Sequence, residues 1–298
     1  MSRHNNNGSK FARLLTEKID SVMEKAKIKR KNNPQHFCRD KGKPYKDDLI
    51  CGLKSALEGK ELFLCYQPLI DSGTQKVVAL EALIRWKRPG NGIVAPLDFI
   101  PIAEKSELIV SIGEWVLETA CRQLKEWQEE GATLCSIAVN VSVKQIKRPD
   151  FTEVVAKILS KTGLLPNYLV LEITESSYFE PIEMVLENIN ILRSMGIKIS
   201  LDDFGTGYNT LKTIQNFSVD SLKIDRAFIN NINAEVNKVI VETILLLGRR
   251  IHVNTVAEGV ETKEQYEYLK RMGCDIIQGY YFSKPLLAKE ATQFLWEN

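Results

Sequence analysis

The chain has 298 residues, of which 44% are hydrophobic and 26% are charged, so its length allows one large domain or two small ones with a well-buried core. No run approaches the ~20 apolar residues of a membrane-spanning helix, the first ten residues lack the apolar stretch of a signal peptide, and the six cysteines show no CxxC spacing of zinc or redox motifs. We therefore expect reduced thiols and a cytoplasmic chain, although the parent protein could still be anchored to a membrane.

The first 47 residues are predicted to form a helix and a linker, apart from a barrel domain at residues 48–298. Apolar residues near helical spacing predict a helix over residues 9–31, and the polar stretch 32–47, which contains Pro34, Gly42 and Pro44, is typical of a linker. The formal net charge is only +2, but residues 1–48 carry 13 Lys and Arg against 6 Asp and Glu. The basic run at the end of this helix could bind nucleic acid or a membrane surface, or it could be a solvated helix end. Because no aromatic residues interleave with it, we favour the solvated helix end and expect no DNA partner.

From residue 48 onward strands and helices alternate, which favours a parallel sheet. The predicted strands are 62–67, 77–86, 134–141, 169–174, 197–202, 220–224, 252–257 and 275–279. The predicted helices are 110–130, 150–162, 181–195, 208–217, 235–250 and 262–273.

Eight strands in about 250 residues match the size of a closed β/α barrel. The first two strands are separated by a short segment that contains Asp71, Ser72 and Gly73. That segment is too short for a crossover helix, so the two strands should form a hairpin. We therefore expect a barrel with one antiparallel strand. An open doubly wound sheet is the alternative, but no glycine-rich phosphate loop follows a strand near the start.

A polar residue ends each successive apolar run from the second strand to the eighth. Side chains at the C-terminal ends of the strands of a β/α barrel share one face, where catalysis occurs. Each residue alone could be a cap or a surface carboxylate, but the repetition points to one oxygen-lined pocket. Carboxylates a few ångströms apart raise each other's pKa. Hard divalent cations, which prefer oxygen ligands, usually neutralise such a group of carboxylates. The residues are Glu81, Asn140, Glu172, Asp202, Lys223, Glu258 and Gln278.

Seven short motifs around these residues resemble those of the EAL family of cyclic di-GMP phosphodiesterases. They are EALIRW, VNVS, EITES, DDFGTGY, LKID, AEGVE and QGYYFSKP, in that order and with family-like spacing. The resemblance covers residues 48–298. It implies a modified TIM (β/α)8 barrel with an antiparallel first strand. It also implies hydrolysis of cyclic di-GMP to linear pGpG with two Mg²⁺ or Mn²⁺ ions per site.

The resemblance also implies which residues hold the two metal ions. The ligands of one ion would be Glu81, Asn140, Glu172 and Asp202. The ligands of the second ion would be Asp202, Asp203 and Glu258. The residue types agree with this chemistry, because two divalent ions ~3.5–4 Å apart supply a hydroxide nucleophile and neutralise charge on phosphorus.

Further residues are assigned by the same resemblance to catalysis and to substrate. Lys223 resembles the lysine that holds the attacking water, and Glu175 resembles the glutamate that fastens the DDFGTGY loop. Residues that would contact or position substrate or water are Gln67, Arg85, Glu261 and Gln278. A histidine base is not expected, because His252 is the one histidine of the barrel region and it begins a predicted strand away from the motifs.

Two other functions stay open at this point. EAL-like domains can bind the nucleotide or a protein partner without hydrolysis, and an unrelated metal-dependent barrel enzyme could act on a carbonyl substrate. Domains of the silent kind typically lose motif carboxylates or the lysine, whereas this sequence keeps them. The combination of DDFGTGY and AEGVE argues against the carbonyl enzyme. Hydrolysis of cyclic di-GMP is therefore the favoured hypothesis.

Two expectations concern assembly. EAL-family barrels commonly pair through the elements after the DDFGTGY loop, and Leu211, Ile214 and Phe217 have helical apolar spacing there, so we expect a homodimer. That stripe could instead pack on the barrel. Residues 9–40 weakly resemble the tail of a diguanylate cyclase-like (GGDEF) domain, although no GGDEF motif occurs and a plain linker helix is the alternative. An upstream sensor or GGDEF domain is therefore a possible partner in a longer protein.

Overall fold

The computed structural model describes residues 43–90, 92–132, 135–174, 182–206, 214 and 218–297. The predicted helix at residues 9–31, the GGDEF-like stretch and most of the predicted linker lie outside this part of the chain. The predicted helix at residues 208–217 also lies outside it, except for Ile214. The division into two units at residue 48 therefore stays a prediction.

Eight strands form a closed barrel, and two short strands extend it. Neighbouring barrel strands follow the order β1-β2-β4-β5-β6-β7-β8-β9 and return to β1, while β3 pairs with β2 and β10 pairs with β1. The strands are β1 (Leu62–Asp71), β2 (Val77–Arg88), β3 (Gly92–Val94), β4 (Ser136–Asn140), β5 (Leu169–Thr174), β6 (Lys198–Phe204), β7 (Ser221–Ile224), β8 (Asn254–Ala257), β9 (Ile276–Ile277) and β10 (Leu286–Leu287).

Strand β1 runs antiparallel to both of its barrel neighbours, β2 and β9, whereas the other barrel strands are mutually parallel. The turn between β1 and β2 is closed by Asp71. Its Oδ1 atom accepts hydrogen bonds from the backbone N–H groups of Gly73 and Thr74, at 3.1 and 2.7 Å. Such a side-chain-to-backbone turn allows the chain to reverse without a helix. The modified barrel with an antiparallel first strand is therefore confirmed.

The helices surround the barrel. All eight predicted strands are present, as are the five predicted helices that fall on described residues, with ends displaced by a few residues. The strand expected at 252–257 starts only at Asn254, because His252 ends the preceding helix in a left-handed conformation, with φ 59°. The helices are α1 (Lys43–Glu58), α2 (Pro96–Lys105), α3 (Leu108–Glu129), α4 (Val143–Ile146), α5 (Phe151–Thr162), α6 (Ile182–Ser194), α7 (Arg226–Asn230), α8 (Glu235–Ile251), α9 (Lys263–Met272) and α10 (Ala288–Glu297).

Helix α1 corrects the predicted linker, because its first five residues, 43–47, were expected to be unstructured. Leu49, Leu53 and Ala56 follow helical spacing and are fully buried. Gly52 lies so close to Trp86 that a Cβ atom there would be 3.0 Å from the indole ring. Burial of each leucine contributes about 1.5–3 kcal/mol, so these residues pack α1 against the barrel domain.

Two further features of the described residues are the apolar length of the helices and the burial of the cysteines. None of the helices within residues 43–297 that the structure describes is both long and apolar enough to cross a bilayer. The described cysteines are free, and Cys65, Cys121, Cys135 and Cys274 are buried whereas Cys51 is exposed. Burial raises the pKa of Cys135 to about 11, so that thiol stays protonated and unreactive at neutral pH.

Candidate active site

Strand pairing brings the predicted polar residues to one end of the barrel. Glu81 on β2 lies opposite Gln67 on β1. Asn140 at the end of β4 lies opposite Glu172 on β5, and Thr174 at the end of β5 lies opposite Asp202 on β6. Since parallel strands end on the same side, these side chains converge there.

Lys223 on β7 lies at the centre of this group. Its Nζ atom is 2.7 Å from Glu258 Oε1 and 2.8 Å from Glu172 Oε2. The same atom is 3.3 Å from Asp202 Oδ1 and 3.6 Å from Glu81 Oε2. The lysine side chain is only 1% exposed, so these contacts are made away from water. One buried ammonium group is therefore shared by four carboxylates that come from four different strands or strand ends.

The charges in this cluster are unbalanced. Burial opposes the charged form of Lys223, but Asp202, Glu172 and the other two carboxylates outweigh it and hold the lysine pKa well above its usual value. Burial, followed by repulsion from Glu81, raises the pKa of Glu172 well above its usual range. Burial likewise raises the pKa of Glu258, although Lys223 opposes the shift. A single lysine does not neutralise the carboxylates, so the site favours additional positive charge.

Glu81 differs from its neighbours because amide groups surround it. Asn140 donates from Nδ2 to Glu81 Oε1 at 2.7 Å, and Gln278 donates from Nε2 to Glu81 Oε2 at 2.6 Å. Burial raises the Glu81 pKa, but Lys223 and these donors outweigh burial and lower it. Gln278 also contacts Gln67 Oε1 at 3.3 Å, and Gln67 in turn donates to the Ser283 carbonyl. The two glutamines thus connect Glu81 to the loop after β9.

A second part of the site is formed by Asp202, Asp203 and Glu258, whose carboxylate oxygens lie within 4.8 Å of one another. Asp203 has a left-handed backbone with φ 54°, which is uncommon for a residue other than glycine. Burial and a hydrogen bond with Asp225 raise the pKa of Asp203 to about 7. The three oxygens can hold a metal ion, and two of the three residues, Asp202 and Glu258, also contact Lys223.

The sequence reasoning missed Asp225, although it lies two residues after Lys223 in the motif LKID. Asp225 is 6% exposed and begins helix α7, where its Oδ1 atom accepts a hydrogen bond from the Ala227 backbone at 2.6 Å. A capping aspartate is common at a helix start, so its sequence position alone does not reveal its contact with Asp203. The feature of the sequence that could have identified Asp225 is its position directly after the buried strand that carries Lys223.

Arg85 lies outside the carboxylate cluster, beside a cavity of about 300 Å³. This cavity lies next to the site, since Asn140 and Thr174 line it together with Leu97 and other apolar residues of α2 and α3. The Arg85 guanidinium donates to the carbonyl of Ile84 at 2.9 Å and carries further N–H donors. The cavity was not foreseen from the sequence, because α2 was not predicted.

Two of the residues considered in the sequence, Glu261 and His252, do not join the cluster. Glu261 is exposed, and the contact that fixes it is a hydrogen bond from its backbone N–H to Gln265 Oε1 at 2.7 Å. Glu175 lies outside the described residues. His252 ends α8, two residues before β8 begins, whereas Glu258 follows the other end of that strand. The histidine is therefore at the opposite end of the strand from the carboxylates.

A family model described as the EAL domain matches residues 51–285, which is more than half of the chain. The chain belongs to the EAL family. MucR of Pseudomonas aeruginosa, named a bifunctional diguanylate cyclase/cyclic di-GMP phosphodiesterase, is 41% identical over 243 residues, which cover 81% of this chain and 36% of MucR. NbdA of the same species, named a cyclic di-GMP phosphodiesterase, is 34% identical over 298 residues, 99% of this chain and 38% of NbdA.

A solved structure gives the same result for the fold. The MucR phosphodiesterase from P. aeruginosa, in complex with cyclic di-GMP, is 40% identical and superposes with a TM-score of 0.78 over 82% of this chain and 99% of that structure. The chain spans about a third of the length of the curated relatives it matches.

Divalent-metal dependence is typical of EAL phosphodiesterases, and the donor set here fits such ions. Three carboxyl groups, Glu172, Glu258 and Asp203, have raised pKa values, so a divalent cation would stabilise their ionised forms. The Asn140 amide now donates to Glu81 and Glu172, so it must turn over to offer its oxygen to an ion. Oxygen donors from carboxylates and amides suit Mg²⁺ and Mn²⁺ better than softer metals.

Proposed function

We propose that this chain hydrolyses cyclic di-GMP to linear pGpG with two divalent ions, Mg²⁺ or Mn²⁺. The observation that carries the proposal is the contact of buried Lys223 with four strand-end carboxylates. Burial of several mutually repelling carboxylates is unfavourable unless cations compensate them. The naming of MucR and NbdA as phosphodiesterases supports the same substrate.

The proposed ligands divide between the two parts of the site described above. Glu81 and Glu172 contact Lys223, whereas Asp203 lies close to Glu258, and Asp202 belongs to both groups. When bound, the two ions would supply a hydroxide nucleophile and neutralise charge on the phosphate. The proposed ligands of the first ion are Glu81, Asn140, Glu172 and Asp202, and those of the second are Asp202, Asp203 and Glu258.

In the proposed reaction a water oxygen attacks phosphorus, and the bond between phosphorus and the 3′-oxygen breaks. The 3′-oxygen takes up a proton, and the new terminus is a 5′-phosphate, so one water opens the ring. Lys223 orients the attacking water, a role that its central position and its fixed ammonium group support. Because the site is largely buried, its charges act on the reacting phosphate with little screening by solvent.

The remaining predicted residues would hold the nucleotide or the loops around it. Arg85 lines the same cavity as Asn140, which suits a contact with a substrate phosphate. Gln67 and Gln278, joined at 3.3 Å, would position substrate or water beside Glu81. We propose a role near substrate for Glu261 and a role in holding the DDFGTGY loop for Glu175.

The test is incubation of the purified chain with cyclic di-GMP and Mg²⁺ or Mn²⁺, followed by chromatography. We expect pGpG to form, to disappear in excess chelator and to return when either ion is restored. Turnover that survives exhaustive metal removal would contradict the two-metal proposal. Binding of cyclic di-GMP without any product, in every metal tested, would favour the alternative of a silent binding module.

We also propose that the chain forms a homodimer in the cytoplasm, with an upstream sensor or GGDEF domain able to act on the pairing in a longer protein. Leu211 and Phe217 lie outside the described residues, and Ile214 packs against the core. Support comes instead from helix α8, where Val236, Val239 and Leu246 are 44%, 45% and 48% exposed. Exposed apolar residues on one helix can mark a protein interface.

Dimer formation is tested by light scattering and specific activity over a dilution series. Val239→Glu should shift the chain to monomer, whereas Leu165→Glu, at an apolar position that is 61% exposed on another part of the surface, should not. Equal masses for the wild type and both variants would count against α8 as the interface. Constant activity across a clear transition from dimer to monomer would separate catalysis from pairing.

A further inference from the structure

The loop between β8 and α9, residues 258–262, carries Glu258 and is here named the Glu258 loop. Its inner part is fixed by backbone hydrogen bonds to the strands on both sides. The Glu258 N–H donates to the carbonyl of Ile224 on β7 at 3.1 Å. The Val260 N–H donates to the carbonyl of Gln278, after β9, also at 3.1 Å. These bonds place the start of the loop between the two neighbouring strand ends.

The outer part of the Glu258 loop is held by one side chain, Gln265 on helix α9. Its Oε1 atom accepts hydrogen bonds from the backbone N–H groups of Glu261 and Thr262, at 2.7 and 3.0 Å. Its Nε2 atom donates to the carbonyl of Ile229 on α7 at 3.1 Å. Helix α7 directly follows the strand that carries Lys223, so Gln265 connects the segment after β8 to the segment after β7.

Close packing between the same two segments occurs at Gly259. This residue has φ 67°, and a Cβ atom there would lie 2.5 Å from the Cβ atom of Arg226, the first residue of α7. The Glu258 loop therefore lies directly on the start of α7, while Gln265 binds the carbonyl of Ile229 near its end. Because Lys223 and Asp225 precede α7, movement of this loop relative to α7 would change the separation of Glu258 and Lys223.

We propose that Gln265 is a positioning residue, which holds the Glu258 loop against α7 and so keeps Glu258 in place to bind metal beside Lys223. The proposal rests on the proposed function only in that Glu258 binds a divalent ion. Gln265 also belongs to a capping box at the start of α9, in which Thr262 accepts from the Gln265 backbone. Glutamate serves equally well at this capping-box position, but it has no N–H to donate to Ile229.

Gln265→Glu therefore separates the two roles, because it keeps the cap acceptor and removes the bond to Ile229. We expect Mn²⁺ affinity, measured by calorimetry on the full chain, to weaken about 10–100-fold, as is typical when a group that orients a metal ligand is lost. In the same variant kcat should fall while KM for cyclic di-GMP stays unchanged. The added negative charge alone would strengthen binding of a cation, so weakening cannot come from charge.

Thr262→Val is the matched control, because it removes the hydroxyl acceptor of the capping box and leaves the Gln265 side chain in place. It should lower Tm and leave Mn²⁺ affinity at the wild-type value. Gln265→Met, which removes every side-chain hydrogen bond at similar length, should weaken Mn²⁺ binding at least as much as Gln265→Glu. It provides the same comparison if Gln265→Glu does not fold.

The outcomes separate this proposal from the proposed function. Wild-type Mn²⁺ affinity in both Gln265 variants, or equal weakening in Thr262→Val, would overturn the positioning role. A wild-type chain that binds Mn²⁺ but does not hydrolyse cyclic di-GMP would overturn the proposed function, and the Mn²⁺ affinities of the variants would still decide the role of Gln265.

Discussion

Replacement of Lys223 by methionine removes the ammonium group while keeping the length of the side chain. In the metal-free protein four carboxylates would lose a cation that lies 2.7–3.6 Å from them. Removing one partner from a buried ion pair destabilises proteins by about 3–5 kcal/mol. We therefore expect the free energy of unfolding of metal-free Lys223→Met to fall by about this amount near pH 8.

The loss should depend on pH in a defined direction. Burial already raises the pKa of Glu172 and Glu258, and removal of Lys223 should raise both further. A carboxyl group whose pKa is higher in the folded than in the unfolded state binds more protons when folded. Such a group therefore does not destabilise the fold below the unfolded pKa of about 4.3. Above that pH it lowers the free energy of unfolding progressively as pH rises. Lys223→Met should be least destabilised near pH 5 and most destabilised near pH 8.

Urea unfolding of the metal-free proteins at these two pH values measures the effect. Lys198→Met is a suitable control, because Lys198 is exposed at the start of β6 and makes no contact with the cluster that the described structure records. Mn²⁺ should restore part of the stability of Lys223→Met, since it supplies the missing positive charge. An equal loss at both pH values, or a loss no larger than that of Lys198→Met, would refute this electrostatic account.

Three further results are expected. Ca²⁺ should bind the site and inhibit turnover, because its looser coordination positions water poorly; full activity with Ca²⁺ in a hydrolysis assay would contradict this. Below pH 7, metal binding should release a proton from Asp203, because burial and Asp225 raise its pKa to about 7. Binding enthalpies should therefore differ between buffers of different ionisation enthalpy, and metal affinity should weaken as pH is lowered; enthalpies and affinities that do not change would contradict this. Gly279→Ala should lower the free energy of unfolding, measured in urea, by several kcal/mol, because its Cβ would lie 2.0 Å from the Val260 carbonyl oxygen. As a control, a Cβ at Gly73 would meet nothing closer than 3.4 Å, so Gly73→Ala should unfold within about 0.5 kcal/mol of the wild type.

The barrel could be predicted because its signals are local. The Asp71 turn and the short gap after β1 predicted the hairpin, and the alternation of strands and helices predicted the parallel remainder. Helix α2 was missed because Pro96 and Pro101 usually break helices. Here Pro96 occupies the first turn, where no N–H is needed, and Pro101 is tolerated inside the helix. The short strands β3 and β10 have too few residues to show a period.

The site was predictable to the extent that it follows strand ends. Glu81, Glu172 and Lys223 lie on strands of a barrel, so their convergence follows from topology. Glu261 lies in the loop four residues after β8 ends, and it is exposed. Its position could not be predicted, because the motif does not fix where a loop residue points. The role of Gln265 was not predicted, because its bond to Ile229 spans 36 residues of sequence, which no local pattern reveals.

Glu81→Ala tests most directly whether the carboxylate cluster performs the hydrolysis. Loss of this proposed metal ligand should reduce turnover of cyclic di-GMP to pGpG at least ~10³-fold at saturating Mn²⁺, which corresponds to about 4 kcal/mol of transition-state stabilisation. Its circular dichroism spectrum should match the wild type, because the side chain lies among polar groups at the end of the barrel. A folded Glu81→Ala chain that opens cyclic di-GMP at the wild-type rate would show that the reaction does not take place at this cluster.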